Sequence, residues 1–335
     1  MRAYVVTSDR GIDAIEIQER PAPTPAAGQV LVELRAASLN FRALMGAEGG
    51  YPASALRPVV ALSDGACEVG AVGEGVTRWR SGDRVVAAFL EDWLRGPFRA
   101  DLPHSARGGG IDGVLQERFL AGEGALLAIP EHLSFAEAAT LPCAAVTAWN
   151  ALTAAGTKVG DRVLVLGTGG VSIFAIQLAR LMGAKPIVTS SDDAKLRRAR
   201  ELGAVAGINY RAVPDWHERV LELTDGEGVE HVIETGGPGT LERSLSAAAF
   251  GGVVSLIGVL AQGEPPPMTT ALMKALTVRG IYVGSAEMFA SLNRAITAHQ
   301  LRPVIHQRFG FDDVLAAYRA RETQEHVGKI VVERG

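Results

Sequence analysis

Cysteine and clustered histidine are scarce in this chain of 335 residues. It has two cysteines, Cys67 and Cys143, and neither lies in a CxxC pair. Two cysteines cannot build a disulfide framework. The seven histidines are scattered and form no HxxxH pair, so a metal site built from histidine is not expected.

Long apolar runs and an excess of one charge are also missing. The first ten residues, MRAYVVTSDR, contain no apolar segment of the signal-peptide kind, and no apolar stretch is long enough to span a bilayer. The net charge is -4 and the pI is about 6.0, which gives no long-range field to attract nucleic acid or an anionic membrane. We therefore expect a cytoplasmic enzyme with a small-molecule substrate and without a nucleic-acid or membrane partner.

The chain does contain a strand, a glycine-rich turn and a helix in direct succession. Residues 163–166 are a β-branched apolar run, and residues 171–182 have the pattern of a helix. Between them, Gly167, Gly169 and Gly170 allow a tight turn and the close approach of a pyrophosphate. A second strand follows at residues 186–189. This order predicts a dinucleotide-binding unit, and the alternative is a plain βα turn in another α/β fold.

The pattern divides the chain into three parts. Residues 1–125 are short β-rich runs separated by glycine and proline, which predicts a mostly antiparallel β domain. Residues 126–283 alternate helix and strand, ending in a strand at 277–283, and this predicts a doubly wound parallel sheet. The tail, 284–335, is predicted to pack back on the first domain. The predicted fold class is α/β.

Six segments match one superfamily in order along the chain. They are GQVLVELRAASLNFR, VGEGVTRWRSGDRVV, AATLPCAAVTAWNAL, GTGGVS, LGAVAGINY and GGVVSLIGVL. Through them the chain resembles a medium-chain dehydrogenase/reductase over essentially its full length. The resemblance implies a GroES-like catalytic domain, residues 1–125 and 284–335, and a Rossmann NAD(P)-binding domain, residues 126–283.

The positions that hold catalytic zinc in this superfamily carry other residues here. Zinc alcohol dehydrogenases have Cys-His at the first ligand position and His-Glu at the second, where this chain has Leu39-Asn40 and Ser63-Asp64. The third position is Cys143, which is open to two interpretations, a small buried hydrophobe or a ligand or nucleophile. The structural-zinc cysteines are also absent from residues 90–125. The resemblance therefore implies an enzyme without zinc.

The segment Leu39-Asn40-Phe41-Arg42 resembles the LNFR motif of zinc-free quinone reductases and of polyketide enoyl reductases. This implies that Asn40 lies beside the nicotinamide and the substrate carbonyl, where its amide N–H would stabilise a developing enolate oxygen. Tyr51 matches a tyrosine near the substrate and is a candidate proton donor. The alternatives are a loop-stabilising asparagine and a packing tyrosine. Ala43 departs from the aspartate that is common in these relatives.

The resemblance also implies the cofactor. NAD-specific members carry a carboxylate at the end of the second Rossmann strand, where this chain has Ser190, and Asp192 and Asp193 fall in a predicted helix cap. Positions that hold the 2′-phosphate of NADPH in quinone reductases correspond to Ser190, Ser191, Lys195 and Tyr210. Hydroxyls and a cation suit a phosphate, so NADPH is favoured over NADH.

Other contacts with the cofactor follow from the same resemblance. The matching residues are Thr147, Val171, Gly258, Val259, Val283, Gly284, Ser285 and Lys329. Relatives also pair the last Rossmann strand across a twofold axis, which implies a homodimer. Two other functions stay open: an NAD(P)-dependent alcohol dehydrogenase with a modified zinc site through Cys143 and Asp64, and a non-catalytic dinucleotide-binding protein similar to lens crystallins.

Overall fold

The computed structural model describes residues 1–50, 57–258, 260 and 263–335. The chain forms two compact units, one made of Met1–Val146 with Gly284–Gly335 and the other of Thr147–Val283. The sequence placed the first boundary at residue 125. Residues 126–146 lie in the first unit because the strand Leu126–Ala128 pairs antiparallel with Arg84–Ala87 of that unit's sheet.

The N-terminal part of the first unit consists mainly of strands. These are β1 (Arg2–Val6), β2 (Ile15–Glu19), β3 (Gln29–Ser38), β4 (Val59–Val60), β5 (Asp64–Val72), β6 (Arg84–Ala87), β7 (Arg118–Gly122) and β8 (Leu126–Ala128), with helices α1 (Phe41–Ala47) and α2 (Phe135–Ala138). In β3, Val30, Val32 and Leu34 are fully buried and the residues between them are only partly buried. This alternation buries one face of the strand in the core.

The second unit alternates helix and strand. Its elements are α3 (Val146–Ala154), β9 (Arg162–Leu166), α4 (Gly170–Leu181), β10 (Lys185–Ser190), α5 (Asp193–Glu201), β11 (Ala206–Asn209), α6 (Trp216–Leu223), β12 (Val229–Glu234), α7 (Pro238–Ala247), β13 (Ala248–Leu256), α8 (Thr269–Met273) and β14 (Thr277–Gly280). Leu164, Val232 and Val254, from three adjacent strands, share its hydrophobic core.

All strand pairs of the second unit are parallel, and their order is β11-β10-β9-β12-β13-β14. This is the doubly wound order, in which the direction of winding reverses between β9 and β12. Ligands of such sheets bind outside the carboxyl ends of the strands at that point. The predicted Rossmann sheet is confirmed.

The C-terminal tail returns to the first unit. It forms α9 (Ala286–His299), β15 (Ile305–Gly310), α10 (Val314–Glu322) and β16 (Lys329–Glu333). β16 runs antiparallel to β3 and parallel to β15, in the sheet order β15-β16-β3-β5-β6-β8, with β7 also paired to β3. A smaller sheet has the order β2-β1-β4. The predicted mostly antiparallel fold is confirmed, and the tail joins this sheet through β16.

The strand predicted at residues 277–283 is too long, because β14 ends at Gly280. Val283 lies at φ 47°, a left-handed conformation that no strand residue adopts and that a β-branched side chain disfavours. α7 begins at Pro238, where the fixed φ of proline suits a first helical turn. No helix of the described residues is long and apolar enough to cross a membrane.

Candidate active site

The glycine-rich turn joins β9 to α4 in the second unit. Gly167 has φ 72°, and the Ser172 hydroxyl donates to the Leu166 carbonyl at 2.6 Å, which closes the turn. A Cβ added at Gly169 would meet no atom within 4 Å, so open space lies above this part of the backbone. The N–H groups of the first turn of α4 have no acceptor within the helix. The turn therefore fits a dinucleotide pyrophosphate, as the sequence predicts.

The predicted 2′-phosphate residues lie on segments that adjoin the carboxyl end of β10. Ser190 is the last residue of the strand and is buried, and its carbonyl accepts the backbone N–H of Tyr210 at 3.0 Å. Ser191 follows directly. Lys195 is half-buried in the first turn of α5. The four predicted residues thus lie on backbone segments around one strand end.

The two acidic residues at this strand end are already engaged. Asp192 caps α5 by accepting the backbone N–H of Lys195 at 3.0 Å, and this hydrogen bond lowers the pKa of its carboxyl. Asp193 accepts from the Asn209 amide at 2.9 Å. The predicted helix cap is present. Neither carboxylate is at the end of the strand, the position that the resemblance assigns to the carboxylate of NAD-specific members and that Ser190 occupies here.

Glu234, which the sequence analysis missed, is a buried carboxylate at the end of β12. It accepts the backbone N–H groups of Gly236 and Gly237 at 2.7 and 2.9 Å, the Thr240 hydroxyl at 2.7 Å and the Ser244 hydroxyl. These bonds fix the loop that follows β12, beside the glycine-rich turn. The signal in the sequence is an acid at the end of an apolar strand, before the glycines and hydroxyls of TGGPGT.

The loop after β12 explains Gly258. A Cβ at Gly258 would lie 1.6 Å from the Thr235 carbonyl oxygen, so only glycine fits against this backbone. The Thr235 hydroxyl in turn donates to Leu166, the last residue of β9, at 2.9 Å. Gly258 is therefore required by packing at the strand ends, whatever it also does toward a cofactor.

The segment that begins at Val283 is held in a strained turn. Val283 has φ 47°, and its carbonyl accepts from the buried Asn150 amide at 2.8 Å. Asn150 is a second residue that sequence reasoning missed. A Cβ at Gly284 would lie 2.6 Å from a side-chain carbon of Val146, and Ser285 caps α9 with its hydroxyl. Strain of this kind, about 1 to 3 kcal/mol, is concentrated at functional sites.

Two more of the predicted cofactor residues lie in the second unit. Thr147 is buried near the start of α3, and Val171 is half-buried in the first turn of α4. Tyr51 and Val259 lie outside the described residues.

In the first unit, strand register brings three residues together that are far apart in sequence. β16 pairs with β3 so that Val331 faces Ser38, and β3 pairs with β5 so that Ser38 faces Asp64. Lys329, two residues before Val331, therefore meets the chain just beyond Ser38. Its ammonium donates to the Leu39 carbonyl at 2.7 Å.

The Lys329 ammonium also donates to Asn40 Oδ1 at 2.6 Å and lies 3.8 Å from Asp64 Oδ2. The Lys329 and Asp64 side chains are 3% and 0% exposed. Burial lowers the pKa of the ammonium, and the Asp64 carboxylate opposes that shift. The resemblance predicts that Lys329 contacts the cofactor. In the first unit, its Nζ donates to the side chain of the predicted catalytic residue Asn40.

Asp64 accepts hydrogen bonds from several neighbours. The Ser63 hydroxyl donates to Oδ1 at 2.7 Å, and the backbone N–H of Cys143 and the Ser38 hydroxyl lie 3.2 and 3.4 Å from Oδ2. All three positions that carry zinc ligands in the superfamily, now Leu39, Ser63 and Cys143, thus contact the Lys329–Asp64 pair.

These residues do not fit a zinc ion. Zinc sites take three or four Cys, His or carboxylate ligands, and the residues that the structure describes contain no such group of three. Leu39 and Ser63 offer no metal ligand, and the Lys329 ammonium already places a positive charge among them. A divalent cation at this point would face that charge.

Asn40 is the predicted site residue whose geometry is most informative. Its Nδ2 is buried and has no hydrogen-bond partner among the described residues. Asn40 lines a cavity together with Arg42, Leu62, Ser63 and Tyr318. A buried amide donor without a partner costs about 1 to 3 kcal/mol, so the site holds a donor that a ligand oxygen would satisfy.

Two family models match the chain. Residues 170–298 match the model described as zinc-binding dehydrogenase, and residues 26–131 match the alcohol dehydrogenase GroES-like domain.

Similar proteins cover the chain almost completely. A zinc-type alcohol dehydrogenase-like protein of Schizosaccharomyces pombe is 43% identical over 98% of both chains. A 2-methylene-furan-3-one reductase of Solanum lycopersicum is 32% identical over 99% of this chain and 79% of its own. Among solved structures, a putative alcohol dehydrogenase of Sinorhizobium meliloti has a TM-score of 0.91 at 40% identity, covering 99% of this chain and 98% of its own. A mycobacterial protein complexed with NADPH has a TM-score of 0.83 at 26% identity, covering 99% of each.

Proposed function

The chain belongs to the medium-chain dehydrogenase/reductase superfamily, and on that premise we propose that it transfers hydride from NADPH, without zinc, to a quinone or an α,β-unsaturated carbonyl. The oxidoreductase class comes with the family. We propose three further points: the use of NADPH, the absence of zinc and the class of substrate. Asn40, with its unpartnered buried amide donor beside a cation, is the observation that carries it.

The cofactor preference rests on the end of β10. A 2′-phosphate needs hydroxyl and cationic donors, which Ser190, Ser191, Lys195 and Tyr210 supply. The nearby carboxylates of Asp192 and Asp193 are occupied by α5 and Asn209, so neither is positioned to hold the ribose diol of NADH. The structural neighbour solved with NADPH agrees with this choice.

The substrate class rests on what the first unit offers in place of a metal. Zinc would polarise a ketone or alcohol oxygen, but the zinc positions hold Leu39, Ser63 and Cys143 around an ion pair. A quinone or an enone is already electron-poor and needs less activation. Similarity to a 2-methylene-furan-3-one reductase, whose name describes an enone substrate, supports the same class.

In the proposed reaction, NADPH held at the glycine-rich turn and by Ser190, Ser191, Lys195 and Tyr210 would supply a hydride to the β-carbon of the enone, where a new C–H bond forms. The C=C electron pair moves toward the carbonyl, and negative charge develops on its oxygen. Asn40 Nδ2–H donates to that oxygen and stabilises the enolate. The α-carbon then takes a proton, for which Tyr51 is the candidate donor. A quinone accepts hydride in the same way and takes its protons from water.

Two other functions remain distinguishable. The names of the yeast and Sinorhizobium relatives favour an alcohol dehydrogenase, which would need a zinc site through Cys143 and Asp64. Asp64 is occupied by the Cys143 backbone and faces Lys329, which argues against it. A non-catalytic dinucleotide-binding protein would bind NADPH and turn over nothing.

The test is a substrate panel with NADPH oxidation as the readout. An enone, a quinone, a simple ketone and a saturated aldehyde are compared at equal concentration, each with NADPH and with NADH. We expect turnover of the enone or the quinone, faster with NADPH. Turnover of only the ketone or aldehyde would contradict the proposed substrate class. Binding of NADPH with no turnover on the whole panel would indicate the crystallin-like alternative.

A further inference from the structure

We propose that Lys329 is a positioning residue that fixes the amide of Asn40, so that Nδ2 rather than Oδ1 faces the substrate oxygen. This inference rests on the proposed role of Asn40 in the reduction. It assigns to Lys329 a role in the catalytic unit, where the resemblance had implied a contact with the cofactor.

The chemistry of the two groups fixes the orientation of the amide. An ammonium has three donors and no acceptor, and an asparagine amide has one acceptor oxygen and one donor nitrogen. Only Oδ1 can therefore face the Lys329 Nζ, and the distance between them is 2.6 Å. Since the amide is planar, Nδ2 lies on its other branch and is left without a partner among the described residues.

The orientation matters because the opposite one would be repulsive. A flipped amide would present its carbonyl oxygen to an oxygen that gains negative charge during hydride transfer. Without Lys329 both orientations are available to Asn40, and the one that opposes the reaction is no longer excluded. Fixed donors aimed at developing charge are the main source of this kind of stabilisation.

The ammonium also strengthens the donor that it orients. The positive charge of the Lys329 ammonium, next to Oδ1, polarises the amide. Hydrogen bonds in a chain reinforce one another at low dielectric. Lys329, the Asn40 amide and the substrate oxygen would form such a chain. Through the polarised amide, the ammonium would stabilise the negative charge on the substrate oxygen. In metal-dependent relatives a zinc ion supplies that stabilisation directly.

Two groups beside Asn40 hold the Lys329 ammonium in place. The Leu39 carbonyl accepts one of its hydrogens, and Asp64 supplies the opposite charge at 3.8 Å. The Ser63 hydroxyl and the Cys143 backbone N–H in turn donate to the Asp64 carboxylate. The residues at the former zinc positions therefore support the cation that orients Asn40.

The first test observes Asn40 directly and does not depend on turnover. The chain has four asparagines, Asn40, Asn150, Asn209 and Asn293, so selective ¹⁵N-asparagine labelling gives four side-chain amide groups. Asn40→Ala assigns the Asn40 pair by its disappearance. In Lys329→Met we expect the Asn40 amide resonances to move while the other three stay in place. An unchanged Asn40 pair would overturn the positioning role, and movement of all four would indicate a general change of structure instead.

The second test is a double-mutant cycle on the rate of enone or quinone reduction. Asn40→Ala and Lys329→Met are each expected to lower kcat about tenfold, and the double variant is expected to be no slower than Asn40→Ala alone, because Lys329 acts through that amide. Additive losses would overturn the proposal. A selective loss of NADPH affinity in Lys329→Met would also overturn it, since that is the signature of a cofactor contact.

Two further outcomes separate this inference from the function on which it rests. If the wild-type protein reduces neither enone nor quinone, the proposed function fails, and the asparagine spectra still decide the positioning role.

If Lys329→Met does not fold, Asp64→Asn replaces it in both tests. That variant keeps the side-chain shape and removes the charge that holds the ammonium, so we expect the same shift of the Asn40 resonances and a smaller loss of kcat.

Discussion

Lys329 and Asp64 place a charged pair in the interior of the catalytic unit, where charge is costly. Removing one member of such a pair leaves the other uncompensated and typically destabilises a protein by about 3 to 5 kcal/mol. Replacing both members of such a pair by apolar residues of similar size is often neutral or stabilising. The pair therefore fits the orientation of Asn40 better than a contribution to folding stability.

The amide of Asn40 gives the first prediction. Asn40→Ala should lower kcat for enone or quinone reduction about tenfold, a smaller loss than the 10²- to 10³-fold typical of oxyanion-hole donors, because an enolate or quinol delocalises its charge. The affinity for NADPH, measured by calorimetry, should stay nearly unchanged.

Asn293→Ala is the matched control for that variant. Asn293 donates to the Ala128 carbonyl on an exposed part of the first unit, so the same substitution there should leave kcat unaltered. If Asn40→Ala and the control both behave as wild type on every substrate reduced, Asn40 does not stabilise the transition state.

The side chain of Lys195 gives the second prediction. If its ammonium binds the 2′-phosphate, Lys195→Ala should narrow the difference in binding free energy between NADPH and NADH by about 1 to 3 kcal/mol. The affinity for NADH, which lacks that phosphate, should hardly change. Titration calorimetry with both cofactors measures the two effects.

Arg197→Ala serves as the control for charge alone. Arg197 lies on the same helix, α5, but is exposed, so its removal should alter the NADPH preference far less. Equal losses in the two variants would show that the helix attracts NADPH only by its overall charge.

At the scale of elements, β12 and β13 are tied by a buried histidine. The His231 imidazole lies 2.8 Å from the Ser255 hydroxyl through Nε2 and 3.2 Å from the Thr157 hydroxyl through Nδ1. Burial lowers the pKa of His231 to about 4 from an ordinary value of 6.5. The ring is therefore neutral in the folded protein at neutral pH.

This titration gives the third prediction. Because the unfolded chain binds the proton at higher pH than the folded one, the free energy of unfolding falls as the pH falls from 6.5 toward 4. His231 should account for a loss of about 2 kcal/mol by pH 5. Denaturant unfolding at pH 7.5 and pH 5 should show a smaller loss in His231→Gln than in wild type. His299→Gln, at an exposed position, should keep the wild-type loss, and identical pH dependence in all three proteins would contradict the account.

Elements with a strong local pattern were predicted well from the sequence. The strand before the glycine-rich turn, the helix after it and the strand at 186–189 agree with the structure to within one residue at each end, because apolar periodicity and glycine placement are local signals. β14 was predicted too long since the apolar run continues past Gly280. The turn at Val283, which ends it, depends on a tertiary hydrogen bond from Asn150.

Tertiary contacts in the candidate site could not be predicted from the sequence either. The sequence pointed to Asn40 and to the missing zinc ligands through short motifs. It could not show that Lys329 meets Asn40 and Asp64, because this juxtaposition depends on the register of β16, β3 and β5. Glu234 and Asn150 were missed for a similar reason, since their partners are set by loops that close only in the folded unit.

At the scale of the whole molecule, the last strand of the Rossmann sheet is the feature that bears on assembly. β14 lies at the end of the sheet order, and its outer edge pairs with no strand of the described residues; such an edge is a template for association. Leu272 and Met273, in the helix just before it, are 77% and 73% exposed. We propose that a second copy of the chain covers this edge, giving a homodimer.

The fourth prediction follows from that edge. Light scattering at micromolar concentration should give twice the mass of the 35.2 kDa chain. The double substitution Leu272→Asp and Met273→Asp should shift the protein toward the monomer, because it places charge on exposed apolar positions. The same pair of changes at Leu94 and Phe98, which are exposed on the other unit, should leave the mass unchanged. A monomeric mass for the wild type would refute the dimer.

The central claim is that hydride transfer here needs no zinc, and one measurement tests it most directly. The purified protein is dialysed against a strong chelator, its metal content is determined by inductively coupled plasma analysis, and NADPH oxidation with the best enone or quinone is compared before and after. The account predicts less than stoichiometric zinc throughout and a rate that the chelator leaves unchanged. Activity that is lost with the metal and restored by adding zinc would contradict it.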